Sequence, residues 1–114
     1  MTVEELGRAL SLETVVAGDG GREVTGGYCG DLLSWVMGRA PAGCVWLTVM
    51  GNVNAIAVAV LADVACILLT EASPLDEAAG EKARAQDVAV LRSPRPAYAL
   101  ALDIGRLLEK EGTP

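Results

Sequence analysis

The sequence predicts an α/β domain built mainly on a parallel sheet, and three observations carry that prediction. Residues 44–50 and 64–69 are nearly continuous apolar runs of strand length, the pattern of strands covered on both faces. Residues 55–62, between them, are Ala-rich and apolar on every side, which predicts a buried helix. From residue 44 onward the pattern then alternates strand, helix, strand, helix, strand, helix, the signature of successive crossover units. Parallel strands are predicted near 44–50, 64–70 and 87–91, flanked by helices.

Each element has a local reason. Thr2-Val3-Glu4-Glu5 is a capping box, with Thr2 as N-cap and Glu5 reaching back; Leu6, Ala9 and Leu10 then give a short amphipathic helix. Val15 and Val16 mark a strand over 13–17. Gly18-Asp19-Gly20-Gly21 reads as a turn into a second strand over 23–29, so a Gly-rich N-terminal hairpin region is expected. The density of Gly26, Gly27 and Gly30 suggests positive φ or a close backbone approach. Asp31 is placed to cap a helix holding Leu32, Leu33, Trp35, Val36 and Met37, ending near Gly38 or before Pro41. Asn52 or Asn54 is placed to cap the buried helix. Ser73-Pro74 reads as the start of the next helix, through Ala78, Ala79 and Ala83. Ser93 is read as the cap of a last helix whose apolar face is Leu100, Ile104, Leu107 and Leu108. One domain over 1–114 results, with a core at about 2–108 and a frayed tail at 109–114.

Composition narrows the function classes. In 114 residues, 52% are hydrophobic and 4% aromatic, with no Phe, so the core is aliphatic. There is no His, which removes the usual neutral-pH general base and the commonest metal ligand. The net charge of −6, from 15 acids against 9 bases, argues against nucleic acid as a partner. Cys29, Cys44 and Cys66 match no zinc or iron–sulfur spacing and read as reduced thiols of a cytoplasmic protein. The acidic Met1-Thr2-Val3-Glu4-Glu5 start is neither a signal nor a transit peptide. The apolar stretch over 44–70 is broken by Gly51, Asn52, Asn54 and Asp63, so no membrane span is expected.

No P-loop string or complete dinucleotide fingerprint occurs, no metal site or cofactor is expected, and without His a Ser–His or Cys–His pair cannot form. Sheets of this kind bind ligands outside the carboxyl ends of their strands. The loops there carry Asn52 and Asn54 in one case and Arg92, Ser93 and Arg95 in another. Two guanidinium groups at a helix start suit a phosphate or carboxylate; the alternative is that Ser93 caps the helix and the arginines stay solvated. Leu32, Trp35 and Val36 are the candidate dimer interface, because a short helix apolar round most of its circumference needs cover on more than one side.

The string Gly21-Arg22-Glu23-Val24-Thr25-Gly26-Gly27-Tyr28, followed by Gly30-Asp31-Leu32-Leu33-Ser34, resembles the DRTGG domain family. Arg22, Thr25, Gly26 and Gly27 match the residues that name the family. Its leading Asp is absent: Gly21 stands at that position and Asp19 lies two residues early. The resemblance implies an accessory module, of the kind found in some phosphotransacetylases and between the CBS repeats of some pyrophosphatases. A similar fold occurs at the N-terminus of HPr kinase/phosphorylase, and small stand-alone members are associated with hydrogenase-related gene groups. Three expectations follow: a non-catalytic regulatory or assembly module, a homodimer, and a protein partner that is hydrogenase-related or a metabolic enzyme. The alternative is a sensor of a nucleotide or other phosphate-bearing small ligand.

Overall fold

The two long apolar runs become adjacent central strands of a five-stranded sheet in the computed structural model, which describes residues 1–111. In chain order the elements are α1 (Val3–Ala9), β1 (Glu13–Val16), β2 (Gly26–Cys29), α2 (Leu33–Arg39), β3 (Cys44–Thr48), α3 (Val53–Ala62), β4 (Cys66–Leu69), α4 (Glu77–Ala85), β5 (Val90–Arg92) and α5 (Ala97–Lys110). The sheet order is β1-β5-β4-β3-β2. β2, β3, β4 and β5 are mutually parallel, and β1 joins β5 antiparallel. The predicted α/β class and all three parallel strands are observed. β2, α2 and β3 add a third crossover ahead of the two expected.

The alternation of side chains along the strands explains the unbroken apolar runs. Cys44 and Trp46 of β3, with Ile67 and Leu69 of β4, face α2, α3 and α4. Val45 and Leu47, with Cys66 and Leu68, face α1 and α5. Both sheet faces are covered, so every position is apolar. The α5 stripe buries Leu100, Ile104 and Leu108 as its spacing requires.

Several local expectations are corrected. The N-terminal hairpin does not form: β1 and β2 lie at opposite edges of the sheet. The connection between them crosses the amino end of the sheet, pinned by Glu4 N–H to the Gly20 carbonyl, Asp19 N–H to Asp87 and Val24 N–H to Met1. Val16 and Val24 are buried in the two different cores. The glycines at positive φ are Gly18 and Gly43, not Gly26 or Gly27. Asp31 does not cap α2, whose N-cap is Leu32 with no side-chain bond. Asn52 caps α3 as expected, but α3 is buried on one side only: Ile56 is fully buried while Leu61 is 71% exposed. α4 starts later than Ser73-Pro74 and is capped by Asp76. α5 is not capped by Ser93; its N-cap is Pro96. Glu109 and Lys110 belong to α5 rather than to a frayed tail, and Gly112, Thr113 and Pro114 lie outside the described residues.

Among the described residues, no helix is long and apolar enough to cross a membrane, and no cluster of three or more His, Cys, Asp or Glu is placed to hold a metal ion.

Candidate functional site

Because four strands run parallel, their carboxyl ends meet on one crest of the molecule, where residues far apart in sequence converge. Asp31, just past β2, accepts a hydrogen bond from the Thr48 hydroxyl at 2.7 Å and from the Val49 N–H at 3.0 Å. It therefore ties the end of β2 to the end of β3. Thr48 is buried, and its hydroxyl oxygen also accepts from Met50 N–H. Ser93 is buried and accepts from Arg95 N–H at 3.1 Å, forming a turn rather than a helix cap. Glu71 and Ala72 both take positive φ, and their N–H groups donate to the Arg95 and Ser93 carbonyls.

The two arginines of this crest are each held by a carboxylate. Arg92 donates to both oxygens of Glu13, at 3.1 and 2.8 Å, and reaches the Ser73 carbonyl at 3.5 Å. The guanidinium keeps the Glu13 carboxyl below the usual range, and the Arg92 pKa is raised in turn. Arg95 pairs with Asp103 of α5 at 2.8 Å. Asn54 sits exposed on α3, and Asn52 spends its side-chain oxygen on the Ala55 N–H. Arg92 and Arg95 thus turn to different carboxylates, Glu13 of β1 and Asp103 of α5, while both asparagines belong to the start of α3.

The motif-like residues lie at the other end of the sheet. Arg22 donates to the Asp63 side chain at 3.0 Å and to its carbonyl at 3.1 Å. Asp63 is the left-handed C-cap of α3, so Arg22 places a cation against the negative end of that helix. The same contact holds the Asp63 carboxyl below its ordinary pKa. Thr25 donates to the Ala42 carbonyl, and Gly26 and Gly27 pair with Cys44 and Val45 of β3.

The candidate interface divides. Val36 is fully buried in this chain's own core, in the cluster that also holds Trp46, and so it does not reach the surface. Leu32 and Trp35 are 59% and 53% exposed; Met37 is exposed too, but two residues along the helix it lies on the other side of α2 from Trp35. The Arg39 guanidinium stacks on the Trp35 ring, 3.8 Å from its centroid.

Sequence reasoning missed three carboxylates that organise the crest: Glu13, Asp31 and Asp103. It also missed a cleft of about 700 Å³ beside α1 and β1, lined by Gly7, Arg8, Ser11, Thr14, Gly18 and Leu91. The cleft depends on how α1 lies across the sheet, and nothing in local spacing signals it.

No protein-family model and no curated protein matches this chain. The fold is similar to that of a solved structure, the CBS and DRTGG domains of the regulatory region of Clostridium perfringens pyrophosphatase complexed with its activator, diadenosine tetraphosphate. The TM-score is 0.64 at 11% sequence identity, over 90% of this chain and 45% of that one. This chain therefore spans less than half of the structure it resembles, and at that identity the likeness is one of fold.

Proposed function

We propose that this chain is a non-catalytic regulatory module that works by association, joining a second copy of itself and acting on a partner protein. One observation carries the reading: Leu32 and Trp35 project from the seven-residue helix α2 and its cap, each more than 50% exposed. Aromatic anchors within an apolar patch are what interfaces use. The similarity to the fold of a regulatory region supports the regulatory half of the reading. Sedimentation equilibrium across the micromolar range tests it. The expected mass rises above the 11.8 kDa of one chain, and Trp35→Asp weakens the association. A wild-type mass of one chain at every concentration overturns it.

A second reading, a sensor of a nucleotide or other phosphate-bearing ligand, is favoured by the place of Arg92 and Arg95 at the carboxyl end of β5. The similar structure holds a dinucleotide polyphosphate. A ligand there must draw Arg95 away from Asp103. Phosphate or diadenosine tetraphosphate should raise the melting temperature above that in chloride of equal ionic strength, and Arg95→Ala should remove the increment. An increment that is absent, or unchanged in the variant, rejects the sensor.

A further inference from the structure

We propose that the outer edge of β2 is where the second copy docks: two β2 strands pair antiparallel about a two-fold axis, and two five-stranded sheets continue into one. This rests on the self-association reading and names its surface. β2 ends the strand order, so half of its backbone groups have no partner among the described residues. Gly30 N–H donates inward to the Leu47 carbonyl. A parallel ladder engages alternate residues, so Gly26 and Tyr28 bond β3 as well, and Gly27 and Cys29 present their N–H and C=O groups outward.

The two sheet edges are built differently. β1 carries the charged Glu13, and its register shifts between Thr14 and Val16; charge and irregularity discourage strand addition. Gly26-Gly27-Tyr28-Cys29 carries no charge, no proline and no bulge, and its register against β3 is unbroken. A Cβ at Gly26 would meet nothing within 4 Å, and one at Gly27 only the Val45 carbonyl at 3.8 Å. No side chain at these two positions holds a neighbouring backbone away.

Helices on both faces widen this surface. α5 lies over β2 and leaves a groove of about 300 Å³ lined by Gly27, Leu47, Ala101 and Gly105. Ala101 and Gly105 also border a depression beside Tyr98 and Leu102, which are 78% and 41% exposed. On the other face α2 presents Trp35. The exposed parts of Trp35 and Tyr98 together make roughly 200–300 Å², a substantial fraction of the ~800 Å² per partner that a stable complex buries.

The occupant is a second copy because the arrangement is self-complementary. A two-fold axis through paired β2 strands sets the outward groups of Gly27 and Cys29 against an identical set. It also brings α5 beside α5 and α2 beside α2. In a chain of net charge −6, which repels its own copies, an uncharged edge is where two copies approach at least electrostatic cost.

Sedimentation equilibrium with amide hydrogen exchange on the full chain tests the proposal. The wild type should dimerise, and the amides of Gly27 and Cys29 should gain protection as concentration rises. Gly27→Pro removes an outward donor. Gly105→Glu sets a carboxylate in the groove, where a Cβ meets nothing within 4 Å. Each should weaken dimerisation by about tenfold or more with the circular dichroism of the wild type; if the proline variant misfolds, Gly105→Glu decides alone. A wild type that stays monomeric overturns both self-association and this surface. A dimer that survives Gly105→Glu with Gly27 and Cys29 unprotected overturns the β2 edge and leaves self-association standing.

Discussion

Glycine substitutions separate the positions where backbone geometry is decisive from those where it is not. A Cβ at Gly51 would lie 1.9 Å from the Pro74 carbonyl oxygen, because the loops after β3 and β4 pack backbone on backbone and Asp76 N–H donates to the Gly51 carbonyl. Gly51→Ala should cost about 1–3 kcal/mol or more. Gly7, inside α1, has nothing within 4 Å of its missing Cβ, and Gly7→Ala should stabilise by roughly 0.5–1 kcal/mol through helix propensity. Urea unfolding of the two variants checks the contrast in sign. The three thiols divide in a similar way. Burial pushes Cys44 up to about 11 and Cys66 up to about 12, while Cys29 is exposed but raised by partial burial and by Asp31. Alkylation followed by mass spectrometry at mildly alkaline pH should label Cys29 alone, and more slowly than a free thiol, since the thiolate is the reactive form. Fast labelling of Cys44 or Cys66 would contradict the packing described.

At the scale of elements, the caps show how local signals work and where they fail. Thr2 with Glu5, and Asn52, cap α1 and α3 as their sequences suggest, because a cap bonds only to residues two or three positions ahead. Asp31 carries the same local signature, yet its carboxylate is drawn to Thr48 and Val49 on a neighbouring strand end. Asp31→Ala should therefore cost about 1–3 kcal/mol, as the buried Thr48 hydroxyl loses its acceptor. Asp76→Ala, which removes a true helix cap, should cost about 1 kcal/mol. Thermal unfolding of both variants ranks them, and equal or reversed losses would argue against the strand-bridging role of Asp31. The apolar character of α3 was equally legible, but its burial was not. Hydrophobicity says that Leu61 prefers to be covered, and only the position of neighbouring elements says that it is not.

Across the whole molecule, exposed ion pairs join distant parts of the chain, among them Glu13 with Arg92 and Asp63 with Arg22. Both carboxyls are held below their ordinary range by the guanidinium beside them. A depressed folded-state pKa means that the unfolded chain binds the proton more readily. The stabilisation is then present above the ordinary carboxylate values of about 4 and is lost as pH falls through the folded values. Urea midpoints measured from neutral pH to about pH 2 should fall on acidification, and a Glu13→Gln, Asp63→Asn double variant should show a smaller fall. An identical acid response in the variant would remove these pairs as its cause.

The sequence by itself determined the α/β class, the parallel centre, the apolar stripe of α5 and the caps Thr2 and Asn52. These follow from periodicity and short-range hydrogen bonding, which act within a few residues. Tertiary structure alone decided that β1 and β2 part to opposite edges, with Val16 in one core and Val24 in the other. It decided too that Arg92 meets Glu13 and Arg95 meets Asp103, and that Val36 turns inward while Trp35 turns out. Gly26 and Gly27 illustrate the division. Their density suggested unusual backbone angles, but both are ordinary extended residues of an edge strand. What matters about them is the side chains they lack beside an open edge, and a strand becomes an edge only when the order of the whole sheet is known.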